Sequence, residues 1–265
     1  MTTGSYQFEN LESRNLEASH LAERAVLRLE GFPDLLIRHG FPTTGKILEV
    51  GVGHGIRARM MAEKFPQAQI IGVDRSDELL SEAMKQNQNV PNLSFVEADL
   101  YQLPFSNDSF DFIYARLVFM HLTDPITAIQ SLKRVLRPGG RILIEDADRD
   151  CMFFEPIPTS FSNFWNKVQE GQRRLGGDPN IGRKLTPYFK KMGLQKINTE
   201  VQPIIGDGKE IEFLARTLMP SLNIYLEPQH RAEGERAIQD LHHLSRDSSA
   251  SFYHFWFVVS GEKND

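Results

Sequence analysis

The segment ILEVGVGHG, residues 47–55, joins an apolar run to a loop in which three glycines alternate with other residues. The apolar run predicts a buried strand, and the glycines predict a sharp turn into a helix formed by the following residues, IRARMMAEKF. Because glycine has no Cβ, a ligand can approach such a turn closely, and the first turn of the helix offers unpaired N–H groups. The run also contains a carboxylate, Glu49. The segment therefore predicts a ligand site at a strand-to-helix turn.

Short apolar runs alternate with helical patterns on both sides of this turn. The predicted strands are KILEV, AQIIGVD, LSFVEAD, FDFIYAR, RILIEDA, QKINTEVQPI and the closing SFYHFWFVVSGE. Helical patterns separate most of them, and parallel strands need such crossovers. The sequence therefore predicts an α/β fold with a doubly wound, mostly parallel seven-stranded sheet of the Rossmann-like kind, with N-terminal helices and a helical cap inserted late in the chain.

Changes in composition divide the chain into four segments. We expect an N-terminal helical lid, a cofactor-binding α/β core, substrate-covering insertions that also carry the remaining core elements, and the final strand of the core sheet, at residues 1–45, 46–150, 151–250 and 251–265. In the third segment TPYFKKMGL predicts a short helix, and two more helices are expected around residues 210–219 and 227–244.

Aromatic residues are dense just after the fifth predicted strand. Their spacing is compatible with one helix face, which predicts a packed core that also forms the wall of an apolar pocket. These residues are Phe153, Phe154, Phe161, Phe164 and Trp165.

Composition restricts the function classes. The net charge of −5 disfavours a broad electrostatic grip on nucleic acid. The single cysteine, Cys151, excludes an internal disulfide framework and fits a reducing compartment. The polar N-terminus lacks an apolar signal core, and no run approaches the roughly 18 apolar residues of a membrane span. We therefore expect a cytoplasmic protein without nucleic-acid or membrane partners, and a homodimer is one compatible assembly.

Three features separate the glycine loop from a dinucleotide fingerprint. The fingerprint requires its third glycine at the position of Ile56. Glu49 would repel a pyrophosphate but could hold an amino group. Asp74 and Asp99, which follow predicted strands, could accept hydrogen bonds from ribose hydroxyls and from an exocyclic amine. The set predicts a ligand with an adenine, a ribose and a charged amino-acid tail but no phosphate.

Five motifs in this order resemble those of the class I S-adenosylmethionine-dependent methyltransferases. They are LEVGVGHG, GVDRS, EADLYQLPF, FDFIYARLVFMHLTDP and LKRVLRPGGRILIED. The resemblance covers residues 46–148 and, more loosely, the terminal FYHFWFVVSG. It implies S-adenosylmethionine as the cofactor and transfer of its methyl group. It is specific for the family but not for a substrate.

The resemblance also assigns roles to residues of this chain. Gly51 and Gly53 would cradle the methionyl part of the cofactor, and Glu49 would orient the loop and reach the amino group. Asp74 would bind the ribose, with Arg75 packing beside the adenine.

The remaining cofactor contacts follow from the same resemblance. Asp99 and the backbone of Leu100 would read the adenine edge, and Arg116 lies where the family's chain passes the carboxypropyl tail. Tyr6, together with Phe8, would belong to an N-terminal lid over the cofactor.

Several residues have two interpretations. Arg116 could contact the cofactor or pair with a core acid such as Glu145. His121 could be a general base, since the ordinary histidine pKa suits proton removal at neutral pH, or it could cap or pack the helix that begins near Asp124. Cys151 could be a nucleophile, but a buried small apolar role fits the acidic composition better.

Two acids and two histidines complete the candidates. Asp146 or Asp148, near the fifth strand, could take a proton from an acceptor that needs a base. His242 and His243 are adjacent on a predicted helix and so point in different directions, and with no third ligand apparent no metal site is expected.

The sequence favours methyl transfer to oxygen, nitrogen or carbon of a small organic molecule. The family's adenine-DNA and glutamine-protein enzymes carry an Asn/Asp-Pro-Pro-Tyr-type motif after the fourth strand, where this chain has ARLVFMH. Two alternatives stay open. One is methylation of RNA or protein, and the other is a protein that binds the cofactor without transferring methyl.

Overall fold

The structure is a computed structural model that describes residues 4–6, 14–25 and 29–264. Within these ranges seven strands form one sheet. They are β1 (Thr44–Val50), β2 (Gln67–Asp74), β3 (Leu93–Glu97), β4 (Phe110–Arg116), β5 (Leu136–Glu155), β6 (Gln195–Gly206) and β7 (Ser251–Glu262). Phe8 and part of the predicted N-terminal lid lie outside the described residues.

The strand order across the sheet is β3-β2-β1-β4-β5-β7-β6. Strands β1 to β5 pair in parallel, whereas β7 lies antiparallel between β5 and β6. The order reverses at β1 and β4, so the carboxyl ends of these central strands form the crevice in which open α/β sheets bind ligands. The predicted doubly wound, mostly parallel seven-stranded sheet is confirmed.

Helices follow most strands, as the sequence predicts. They are α1 (Arg14–Ala25), α2 (Phe32–Arg38), α3 (Ile56–Lys64), α4 (Asp77–Gln86), α5 (Pro125–Val135), α6 (Phe161–Arg174), α7 (Leu185–Lys191), α8 (Gly208–Thr217) and α9 (Arg231–Leu244). The helices predicted around residues 210–219 and 227–244 correspond to α8 and α9. None of the helices in the described ranges combines the length and apolarity that a bilayer crossing requires.

Successive residues of the central strands pack on opposite faces of the sheet. Ile47 belongs to one buried apolar cluster and Leu48 to another, as the two-residue period of a strand requires. A third cluster joins α6, α8 and α9 to the distal parts of β5 and β7. This third cluster is the core of the cap.

The aromatic run after β5 departs from the prediction of one helix face. Phe153 and Phe154 lie in β5, where they pair with Tyr253 and Phe252 of β7, and α6 begins only at Phe161. Phe153 is exposed and stacks on Tyr253 with ring centroids 5.2 Å apart. The strand continues because β7 offers it a partner, and the prolines in EPIP disfavour a helix before residue 161.

Candidate active site

The glycine loop leaves β1 and turns sharply into α3. Gly51 and Gly53 have φ values of +67° and +51°, in the left-handed region that glycine tolerates best. A Cβ on Gly51 would clash with the Val118 side chain, whereas a Cβ on Gly53 would meet nothing within 4 Å. Packing therefore requires the first glycine, and the open side of the second leaves room for a ligand.

Glu49 lies beneath this loop and is 4% exposed. Its Oε2 has no hydrogen-bond partner among the described residues. Burial raises the pKa of its carboxyl to about 8, although the nearby Arg57 and Arg116 guanidinium groups act in the opposite direction. A buried carboxylate with an unused oxygen is costly, so the site suits a ligand that brings a positive charge or a hydrogen-bond donor.

Asp74 ends β2 and supports the loop from the neighbouring strand. Its carboxylate accepts hydrogen bonds from the Gly53 N–H at 2.9 Å and from the Ser76 N–H at 3.1 Å. Burial raises the pKa of Asp74, which these backbone hydrogen bonds partly offset. Strand pairing therefore brings Asp74 to the glycine loop, although the two are separated along the chain.

A cleft of about 340 Å³ opens beside Asp74. Asp99 is exposed in it and accepts a hydrogen bond from the Tyr101 N–H at 2.9 Å, which starts the short 3-10 turn Leu100–Gln102. The lining residues are Arg75, Glu97, Ala98, Asp99, Gln102 and Pro104. The structure thus places Arg75 and Asp99, both predicted at the adenine, in one cleft.

Arg116 forms the ion pair that the sequence left as an alternative. Its Nε donates to Glu145 Oε1 at 3.0 Å, and its guanidinium lies 4.7 Å from the centre of the Trp256 ring. Burial lowers the pKa of Arg116. Its Nη2 has no acceptor among the described residues, so contact with the cofactor tail stays a prediction.

His121 ends the 3-10 turn Phe119–His121 that follows β4. Its Nδ1 lies 3.2 Å from Tyr225 Oη and 3.3 Å from Ser5 Oγ. Burial, together with the charge of Arg149, lowers the pKa of His121 to about 3, so the imidazole is neutral at neutral pH. Of the alternatives to a base, capping of α5 by His121 is wrong, because the Asp124 side chain caps α5 by accepting from the Thr127 N–H. Packing against that helix stays a prediction.

Asp146 and Asp148, the alternative bases, are fully buried and engaged elsewhere. Asp146 accepts hydrogen bonds from the Met120 N–H at 3.2 Å and the Ala147 N–H at 2.9 Å, and burial raises its pKa to about 7. Asp148 is paired with Arg183. These acids hold the turn after β4 and the end of β5 in place.

The expected burial of Cys151 is wrong, because the residue lies partly exposed in the outer part of β5, with its Sγ 3.9 Å from Arg183 Nη2. Burial and the charge of Asp148 raise the pKa of its thiol. The thiolate, which is the nucleophilic form, is therefore disfavoured.

The N-terminal residues that the structure describes lie over the site. Ser5 N–H donates to the His121 carbonyl oxygen at 2.8 Å, and Arg75 donates to the Tyr6 carbonyl oxygen. The Tyr6 hydroxyl donates to Glu17 at 3.0 Å, and its ring centroid is 5.2 Å from that of His121. Tyr6 is thus beside the candidate site, as a lid residue would be.

Three buried polar residues near His121 were not identified from the sequence. They are Arg149 on β5, Tyr225 in the cap and His254 on β7. Arg149 carried no clear signal, since the predicted strand RILIEDA ends at Ala147, two residues before it. Tyr225 and His254 carried none, because contact with Arg149 depends on how the cap packs. No group of three or more potential metal ligands occurs among the described residues.

The fold and these contacts define a class of protein, an α/β protein with a glycine turn and a buried carboxylate at the crevice of its sheet. A family model described as "Methyltransferase domain" matches residues 48–144. Trans-aconitate 2-methyltransferase of Azoarcus sp. is 34% identical over 210 residues, covering 75% of this chain and 78% of that protein.

Two further comparisons agree. An uncharacterized methyltransferase of Schizosaccharomyces pombe is 32% identical over 155 residues, and the chain spans only about half of its length, 54%. The structure of Haemonchus contortus phosphoethanolamine N-methyltransferase 2 in complex with S-adenosyl-L-methionine has a TM-score of 0.64 and 20% identity, covering 98% of this chain and 60% of that one. This chain belongs to the class I S-adenosylmethionine-dependent methyltransferases.

The residues present fit the family's cofactor, S-adenosylmethionine. Glu49 has an unpartnered buried oxygen for an ammonium group, and Gly53 has an open face against which the methionyl part can lie. Asp99 lines the cleft, and Asp74, which accepts from the Gly53 N–H, precedes the lining residue Arg75, so acceptors for the adenine and the ribose are present. Contacts within the chain thus leave these groups placed to hold the cofactor.

Proposed function

We propose that this protein transfers the methyl group of S-adenosylmethionine to an oxygen, nitrogen or carbon atom of a small organic molecule. Glu49 carries the proposal, since its buried carboxylate has an unpartnered oxygen at the end of the strand that leads into the glycine loop. A dinucleotide would bring a pyrophosphate against this carboxylate, whereas the sulfonium cofactor brings an ammonium.

In this proposal the chain binds and orients the reactants. Glu49 and the glycine loop hold the amino-acid tail, Asp74 accepts from the ribose hydroxyls, and Asp99 with the Leu100 backbone recognises the adenine edge. When bound, the cofactor supplies an electrophilic methyl group on a positively charged sulfur. Holding an acceptor in line with that group can contribute about 7–11 kcal/mol of barrier reduction.

Strong bases are scarce around the expected transfer position. A general-base role for His121 stays a prediction, and the low pKa of its imidazole disfavours that role at neutral pH. Asp146 and Asp148 are occupied by backbone N–H groups and by Arg183. An acceptor that already has a free electron pair at neutral pH fits this environment better than one that needs a strong base.

A small acceptor is supported by charge and by the cap. The net charge of −5 gives little attraction for RNA. The cap cluster, with Phe161, Phe164 and Trp165 buried in it, covers the distal parts of β5 and β7 beside His121 and Tyr225. The role of these aromatic side chains as a pocket wall is part of the proposal.

The test uses methyl-labelled S-adenosylmethionine with the purified chain and a fractionated metabolite extract. We expect label in a low-mass fraction, and a Glu49→Gln variant, weakened in cofactor binding, to produce less of it. Label confined to RNA or protein would replace the small-molecule proposal with the macromolecular alternative. Tight cofactor binding with no labelled product in any fraction would favour a protein that binds the cofactor without transfer.

A further inference from the structure

Arg149 is a buried arginine without an acidic partner. It is 5% exposed, and its Nη1 has no hydrogen-bond acceptor in the described ranges. No carboxylate of those ranges lies within ion-pair distance of it, whereas Arg116 on the neighbouring strand is paired with Glu145. Burying an unpaired guanidinium costs several kcal/mol. A buried, unpaired guanidinium is therefore expected to have a function, such as binding an anionic ligand.

Two aromatic rings hold this guanidinium in place. The Arg149 Cζ lies 5.4 Å from the ring centre of Trp165 and 5.4 Å from that of Tyr225. Trp165 Nε1 also donates to the Arg149 carbonyl oxygen at 2.9 Å. Contact with aromatic faces orients a guanidinium but uses none of its N–H donors. The donors of Arg149 are thus positioned and still available.

The unpaired charge lies next to the expected transfer position. Tyr225, one of the two rings, is 3.2 Å from His121 through its hydroxyl. Burial, together with the charge of Arg149, lowers the pKa values of both His121 and His254 to about 3. The His254 ring is engaged on β7, where its Nδ1 accepts from Trp256 Nε1 at 3.0 Å. Arg149 is therefore linked to His121 through one side chain, that of Tyr225.

The acid whose charge acts on Arg149 does not neutralise it. Tyr225 and Asp146 raise the pKa of Arg149, but the Asp146 carboxylate accepts from the Met120 and Ala147 N–H groups. Burial lowers the pKa of Arg149 to about 10, so the guanidinium is still charged at neutral pH. The interior beside the transfer position therefore has a positive charge that the protein itself does not balance.

We infer that Arg149 binds a carboxylate group of the methyl acceptor, between the rings of Trp165 and Tyr225. This inference rests on the proposed function and specifies its substrate class as a carboxylic acid. One buried guanidinium balances the single negative charge of a carboxylate, whereas a phosphate dianion would leave excess charge in a buried site. The flanking rings give the body of the acid an apolar surface.

The first test measures anion binding, and it needs no knowledge of the substrate. The full chain is saturated with S-adenosylhomocysteine, and its melting temperature is followed with formate, benzoate or inorganic phosphate against sodium chloride at equal ionic strength. We expect the carboxylates to raise the melting temperature of the wild type and of Arg173→Gln, an exposed arginine of α6, but not of Arg149→Gln. Equal shifts in all three proteins, or no shift in the wild type, would overturn the inference. Stabilisation by phosphate instead of the carboxylates would overturn the carboxylate assignment.

The second test separates a ligand-binding role from a structural one. An Arg149→Met variant keeps a long side chain between the two rings but removes the unpaired charge. If Arg149 serves a ligand, this variant should melt at or above the wild-type temperature and lose the carboxylate shift. A variant that melts well below the wild type while keeping the shift would show that Arg149 is a structural residue.

Failure of the inference is distinguishable from failure of the proposed function. Binding of S-adenosylhomocysteine and transfer of label to a low-mass compound are measured separately from carboxylate binding. Labelled products that all lack a carboxylate would retain the proposed function and refute the inference. Labelled acids whose kcat/KM falls at least tenfold in Arg149→Gln, mainly through KM, would support both.

Discussion

Cofactor binding should release a proton from Glu49. The carboxyl pKa of about 8 means that Glu49 is mostly protonated at pH 7 in the free protein. An ammonium group placed against it favours the ionised form, which lowers this pKa on binding. The complex therefore holds fewer protons than the free protein, and affinity must rise with pH up to about 8.

The size of the effect follows from the same pKa. If the pKa of bound Glu49 falls well below 6, about 0.9 proton is released at pH 7, and Kd falls roughly tenfold, or about 1.4 kcal/mol, between pH 6 and pH 7. The cofactor's own α-amino group, with an ordinary pKa of about 7.7–8.0, stays mostly protonated over this interval. The change in Kd between pH 6 and pH 7 therefore reports the ionisation of Glu49 and not that of the cofactor's α-amino group.

Calorimetry can count this proton directly. Titration of S-adenosylmethionine at pH 7 in two buffers of different ionisation enthalpy gives the number of protons exchanged, and repetition at pH 6 gives the change in Kd. Glu49→Gln should abolish both effects, because an amide does not titrate. Asp74→Asn should bind more weakly but keep the pH dependence. No proton release together with an unchanged Kd between pH 6 and pH 7 would refute the placement of the ammonium at Glu49.

Four further substitutions test other parts of the site. Asp74→Ala should weaken cofactor binding by about 1–3 kcal/mol through the lost ribose contacts, and an unchanged Kd in calorimetry would show that the ribose lies elsewhere. Gly51→Ala should destabilise the fold by about 1–3 kcal/mol in urea unfolding, because φ is +67° and the new Cβ meets Val118. Gly53→Ala, whose new Cβ has no atom within 4 Å, should lose less stability than Gly51→Ala. Its loss of binding free energy for the cofactor should exceed its loss of unfolding free energy. Equal losses of stability in the two variants would contradict this reasoning. Glu145→Gln should cost about 3–5 kcal/mol of unfolding free energy by leaving Arg116 buried without its anion, and a loss below about 1 kcal/mol would show that the ion pair is dispensable.

The elements with strong local signals were predictable. The strand that contains Glu49, the glycine turn and α3 follow from apolar periodicity and from the backbone freedom of glycine, both of which act within a few residues. The position of Asp74 was predictable as well, because it ends a predicted parallel strand and the carboxyl ends of such strands form the crevice. The prediction that the aromatic residues from Phe153 to Trp165 share one helix face is wrong. Phe153 and Phe154 belong to β5 and pair with β7, which is far away in the sequence.

The role of Arg116 could not be predicted from the residues next to it in the sequence. An arginine at the end of a central strand can point to a ligand or to a neighbouring acid, and the residues around it are the same in both cases. The parallel register of β4 with β5 sets Arg116 opposite Glu145 and produces the ion pair. A register is a property of two strands together, so neither strand alone reveals it.

The sequence by itself determined the sheet, the glycine turn and the positions of Glu49 and Asp74 near the carboxyl ends of β1 and β2, because these depend on strand periodicity and on residues next to each other in the chain. Only the tertiary structure decided the surroundings of His121. Packing of the cap brings Tyr225 to His121 and places Trp165 and Tyr225 against Arg149. Burial then removes the water that would otherwise solvate these groups. A neutral imidazole and an unbalanced guanidinium exist there because desolvation depends on every element that packs around them.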